Sequence, residues 1–154
     1  MESLFTLRLT VPASAIDDNG HVNNVVYVQW LQDVASAHPD QAGYGVGRCL
    51  ELGGTWVVRS HSIEYLGAAL LGDRLRLETW VSGLDRCGCQ RRYRILRETD
   101  DRVLARAQSH YVYISSETLR PQALPKPLLE RITLAPETGG YGPLGASGRF
   151  SAGI

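Results

Sequence analysis

The chain has 154 residues, the size of one domain, and its 16 basic and 16 acidic residues give a formal net charge of +0; a chain this long buries about 68–70% of its unfolded surface on folding. With no long like-charge run, nucleic acid and anionic membranes are not expected partners. No stretch reaches the ~18 apolar residues of a membrane span, and Glu2 and Arg8 interrupt the start in a way that does not suit a secretory signal, so a cytoplasmic location is expected.

Along the chain, Phe5, Leu7, Leu9 and Val11 alternate with Leu4, Thr6, Arg8 and Thr10, the period of a half-buried strand, and Pro12 ends it. Ser14 to Gly20 is loop-like and leads to Asn23 or Asn24 as a helix N-cap. Tyr27, Trp30, Leu31, Val34, Ala35 and His38 then recur at helical spacing, with Gln29, Gln32, Asp33 and Ser36 opposite. Pro39 and Gly43 are the expected stop. After an irregular stretch from Gly43 to Gly54, four segments have strand character: Thr55 to Tyr65, Asp73 to Asp85, Cys89 to Glu98 and Val103 to Ser115. Asp85 to Gly88 and Thr99 to Arg102 read as hairpin turns, which predicts an antiparallel meander of four strands.

Leu124 to Ile132 fits a short terminal helix. Residues 1–135 thus form the expected domain, and Pro136 to Ile154, rich in Gly, Pro and Ser, a flexible tail. A single sheet with a single long helix leaves one sheet face and its edges uncovered, so a homodimer or homotetramer is expected.

For chemistry, Asp17 stands just before the helix and Asn24 at its first turn. The first N–H groups of a helix have no partner within it and carry roughly +0.5 charge, which suits an oxyanion developing on a thioester carbonyl. The carboxylate is then a general base toward water or a direct nucleophile. Spacing alone favours the simpler reading, an Asx-rich turn before a capped helix.

His21 is either a general base or a loop organiser bonded to nearby backbone. Asn23 and Tyr27 are candidate substrate contacts, Tyr27 alternatively a packed core aromatic. Arg59 and His61 read as sharing a strand face with Val57, Ile63 and Tyr65. Arg86, Arg91 and Arg92 cluster in sequence around a turn and are candidates to grip the phosphates of a substrate, or equally form a solvated hairpin end. The arginine bias itself, with Lys126 the sole lysine, fits codon bias or phosphate recognition. Cys49, Cys87 and Cys89 lack zinc-site spacing and read as free thiols. There is no Gly-x-Ser-x-Gly elbow and no His-x-x-x-His pair.

The run Asp17-x-x-Gly20-His21-Val22-Asn23-Asn24-x-x-Tyr27, with Trp30-Leu31 after it, resembles the signature loop and helix start of acyl-CoA thioesterases in the 4-hydroxybenzoyl-CoA thioesterase branch of the hot-dog superfamily. Ile63-Glu64-Tyr65-Leu66, Gly72-Asp73, Arg120-Pro121 and Leu124-Pro125 extend the resemblance over about residues 4 to 132. It implies an α+β hot-dog fold, an antiparallel sheet of about five strands wrapped around one long central helix. It further implies acyl-CoA hydrolysis without metal or organic cofactor, with Asp17 as the catalytic carboxylate and the Asn24 N–H as oxyanion donor. Ala15 departs from the pattern, since many relatives carry a second acidic residue there. A hot-dog hydratase or dehydratase, and a non-catalytic domain binding acyl-CoA or acyl carrier protein, are the alternative readings.

Overall fold

The computed structural model describes residues 3–135; the expected tail lies outside them. Strand β1, Phe5–Thr10, precedes a single 3-10 turn at Ala13–Ala15 and the long helix α1, Asn24–Ala42. A short helix α2, Val46–Glu51, leads to β2, Gly54–Tyr65. Then come β3, Arg74–Asp85, β4, Gly88–Arg97, β5, Arg102–Ser115, and a last helical turn α3, Lys126–Leu129. The stretch expected to be irregular before β2 therefore contains α2.

The pairings between the five strands are antiparallel, and the sheet runs β1-β3-β4-β5-β2. The expected four-strand meander is thus a three-strand one, β3-β4-β5, with β2 crossing over to the far edge beside β5. The cause is the connection after β2, which is no hairpin turn. The Leu66 and Gly67 N–H groups donate to Leu104, the Ala69 N–H to the Tyr27 hydroxyl, and the Gly72 N–H to Val11. Held at those points, residues 66–73 cross the end of the sheet from the β5 side to the β1 side.

In an antiparallel sheet, paired residues point to one face. Leu7, Leu77, Ile95, Ala105 and Tyr65 form one such row, and Phe5, Thr79, Tyr93, Ala107 and Ile63 the next. Against these rows pack Tyr27, Trp30, Leu31, Val34 and Ala35 of α1, the stripe that the helical spacing predicts. Burying a side chain such as Leu31 or Val34 stabilises the fold by about 1.5–3 kcal/mol each. The other face holds a charged row, in which Glu78, itself 4% exposed, bonds Arg94 and Arg76, and Glu64 bonds Arg106.

Helix α1 starts where the Asn23 carboxamide accepts the Val25 N–H at 2.9 Å. It runs through Pro39 rather than stopping there. Pro39 is buried, and its carbonyl accepts both the Gly43 and Tyr44 N–H groups, which closes the helix one turn later. Gly43 ends it in the left-handed conformation, φ 89°, that glycine adopts without a side-chain penalty.

Candidate active site

The loop between β1 and α1 is stitched to the first turn of the helix. Asn23 donates its N–H to the Ala15 carbonyl at 2.9 Å, and Asp17 donates its N–H to the His21 carbonyl at 2.9 Å. Gly20, at φ 78°, makes the reversal that lets the chain return. The Val22 N–H reaches across to Ala69, which anchors the loop to the connection after β2. Half-buried Asp17 is thereby held beside the N-terminus of α1, its Oδ1 accepting the Asn19 N–H at 2.9 Å.

The first donors of α1 are not equivalent. The Val25 N–H is taken by the Asn23 side chain and the Val26 N–H by the Asn23 carbonyl. The Asn24 N–H has no acceptor among the described residues. Its carbonyl, in turn, accepts the Tyr65 hydroxyl at 3.1 Å, which ties the first turn to the end of β2. An exposed backbone donor at a helix N-terminus therefore stands next to the Asp17 loop.

The other candidates separate. Asn23 is the helix cap, so its carboxamide is occupied by backbone. Tyr27 is 2% exposed, its ring packed edge-on against Trp30 and Tyr65 and its hydroxyl accepting the Ala69 N–H, which makes it a core aromatic. Burial raises its hydroxyl pKa. The His21 ring is exposed and makes no hydrogen bond among the described residues; its backbone, not its imidazole, organises the loop.

The three arginines do not form a phosphate grip. Arg86 is exposed at the turn, while Arg91 and Arg92 are 2% and 8% exposed and, as neighbours on β4, point to opposite sheet faces. The reason is strand alternation, which a count of nearby arginines ignores. Nor do Val57 and His61 share a face. A bulge at Arg59 shifts the register between Val58 and Ser60, so that Trp56 and Val58 point the same way as His61, Ile63 and Tyr65.

That bulge builds a second feature, a pocket of about 390 Å³ under the C-terminal half of α1. Its walls include Gln32 and Ser36 of α1, Tyr44, Trp56, Val58 and Arg91. Beside it, Gln32 donates its amide to His61 Nε2 at 3.2 Å, which leaves the His61 Nδ1–H to donate to Ser109 at 2.5 Å. Burial lowers the His61 pKa. His38 stacks on Phe5 and is held down to about 4 by burial and by the Arg91 cation, so it is neutral near pH 7. The sequence reading missed this pocket, because its residues come from α1, the α1–α2 connection and three strands, and only the fold unites them.

Residues 11–132 match the family model of the thioesterase-like superfamily. No curated protein matches the chain. Among solved structures, an acyl-ACP thioesterase from Bacteroides thetaiotaomicron is 24% identical at a TM-score of 0.75, over 80% of this chain and 50% of that one. A 1,4-dihydroxy-2-naphthoyl-CoA thioesterase from Synechocystis is 22% identical at a TM-score of 0.76, over 84% of this chain and 95% of that one. A Staphylococcus aureus protein in complex with CoA is 22% identical at a TM-score of 0.78, over 83% of this chain and 80% of that one. The chain spans half the length of the Bacteroides protein. The fold is the α+β hot-dog arrangement expected from the sequence.

Proposed function

Because the chain belongs to the thioesterase-like superfamily, we propose that it hydrolyses an acyl-CoA thioester to the free acid and CoA. The observation that carries this reading is the unclaimed Asn24 N–H at the start of α1, beside a loop that holds the Asp17 carboxylate. In the reaction, the thioester carbonyl oxygen accepts the Asn24 N–H. The Asp17 carboxylate takes a proton from water as the water oxygen attacks the carbonyl carbon. The tetrahedral oxyanion stays on the Asn24 donor and the positive end of the helix dipole. Its collapse breaks the C–S bond, and the Asp17 carboxylic acid returns the proton to the leaving thiolate. Direct attack by Asp17, through a mixed anhydride that water then opens, uses the same two groups. The CoA bound to the structurally similar Staphylococcus aureus protein supports CoA as the carrier.

The working unit is a homodimer paired along β2. This edge strand has Val57 and Val58 exposed, and an unpaired edge with apolar side chains favours strand addition. The end of β2 carries Tyr65, bonded to Asn24, while its start carries Trp56 and Val58 of the pocket. Antiparallel pairing of two β2 edges lays the start of one beside the end of the other. Each Asp17 loop then faces the pocket of the partner copy.

Free-thiol release across a panel of acyl-CoAs tests the reaction, with Asp17→Asn as the variant. The amide keeps an oxygen for the Asn19 N–H, so the loop is retained. Turnover is expected to fall by about 10²–10⁴-fold, and an unchanged rate overturns the assignment of Asp17.

A further inference from the structure

Arg91 is a buried cation without a buried anion. Its side chain rises from β4 on the helix-facing side and lines the 390 Å³ pocket. Nη1 donates to His38 Nδ1 at 2.9 Å and to Thr79 Oγ1 at 3.1 Å, and Nη2 donates to the Tyr44 hydroxyl at 3.0 Å. All three acceptors are neutral, and no carboxylate forms an ion pair with Arg91 among the described residues. Asp40 is on the pocket wall but solvent-exposed, and it too lies beyond ion-pair reach of Arg91.

Glu78, a buried carboxylate at 4% exposed, contrasts with this, since two arginines bond it. Taking a guanidinium out of water costs several kcal/mol unless a partner repays it. A guanidinium has five N–H donors. Three are engaged here, which leaves two donors, one on Nε and one on Nη2, for a ligand anion. The pocket wall also carries Ala35, Pro39, Val46, Trp56 and Val58, beside the polar Gln32 and Ser36. The combination is a partly apolar pocket with a buried cation in its wall.

We infer that this pocket takes the acyl part of the substrate, and that the acyl group ends in a carboxylate held by Arg91. The inference rests on the thioesterase reading for the reaction, but the pocket's preference for an anion is a separate property. In the β2-paired dimer, the thioester lies at the Asp17 loop of one copy and the acyl terminus at Arg91 of the other. The substrate class is then a short-chain dicarboxylic acid joined to CoA through one of its two carboxyl groups.

The test uses the full chain and two matched thioesters, adipoyl-CoA and hexanoyl-CoA, which differ only in the terminal carboxylate. Adipoyl-CoA is expected to have the larger kcat/KM by on the order of tenfold to hundredfold, the range of a hydrogen bond to a charged group. Arg91→Met is expected to erase that preference, and Arg91→Lys to retain part of it. Since either substitution can disturb the fold, calorimetric titration of the wild type with monomethyl adipate and methyl hexanoate, which keep the acyl head neutral and differ only in the terminal carboxylate, decides independently. Binding of monomethyl adipate without binding of methyl hexanoate supports the anion pocket even if neither thioester releases thiol, in which case it is the hydrolase reading that fails. Hexanoyl-CoA turnover equal to that of adipoyl-CoA, or no binding of monomethyl adipate, overturns the inference.

Discussion

Asn24→Pro removes one hydrogen atom from the proposed oxyanion site and little else. Asn24 is the first residue of α1, where proline is well tolerated because that N–H has no helical acceptor. The residue before a proline is pushed to an extended conformation, and Asn23 already has φ −59° and ψ 136°. The Asn23 cap onto Val25 and the Asn23 carbonyl bond to Val26 remain, as does the Tyr65 bond to the carbonyl of residue 24. Stability is therefore expected to change by less than about 1 kcal/mol, because the first position does not carry the cost of an interior proline. Loss of one oxyanion donor lowers kcat by about 10²–10³-fold, or about 2.7–4 kcal/mol in the transition state. Steady-state thiol release measures kcat, and urea unfolding confirms the fold. Asn24→Ala is the control, since it keeps the N–H and loses only an exposed side chain. A folded proline variant that turns over at the wild-type rate refutes the assignment.

Two further outcomes are expected. His38 is held at about 4 when folded, against 6.5 for the free side chain. As pH falls from about 6.5 to 4, the unfolded chain binds a proton that the folded chain refuses, so stability drops by up to about 3 kcal/mol, and above pH 6.5 this contribution is constant. His38→Asn removes the titration, so the stability difference between wild type and variant should narrow as pH falls from 7 to 4 in urea unfolding; parallel profiles refute a neutral buried His38. Val57→Asp puts a charge at the exposed β2 edge and should convert a wild-type dimer to monomer in sedimentation velocity, with loss of turnover; an unchanged sedimentation coefficient refutes pairing along β2.

What could be read from the sequence was what depends on local period and on single residue types. The apolar stripe Tyr27-Trp30-Leu31-Val34-Ala35 gave α1, and strand alternation gave β3 to β5 within a residue or two. Strand order was not readable, because β2 and β3 differ from a hairpin pair only in what residues 66–73 bond to across the molecule. Pro39 misled because a proline near a helix end stops it only if no later residue closes the helix, and Gly43 does so here. The bulge at Arg59 has no mark in the sequence, yet it decides which side chains of β2 face the pocket. Arg91 and Arg92 look alike as letters, and only the pleat separates a pocket-facing cation from one on the outer face.

The two ends of α1 account for where charge is placed in this fold. A helix carries roughly +0.5 charge at its start and −0.5 at its end. The start faces the Asp17 loop, and the last turns, through His38, rest on the Arg91 guanidinium. The negative end of a helix favours a cation nearby, and the neutral acceptors His38, Thr79 and Tyr44 solvate the Arg91 guanidinium, which keeps its full charge. In the proposed β2-paired dimer the positive start of one helix and the Arg91 of the other copy would serve the same substrate. Two positive features at one site suit a ligand with negative charge at both of its ends, the oxyanion that forms at the thioester and the carboxylate at the far end of the acyl chain. A simple fatty acyl group would answer only the first of them.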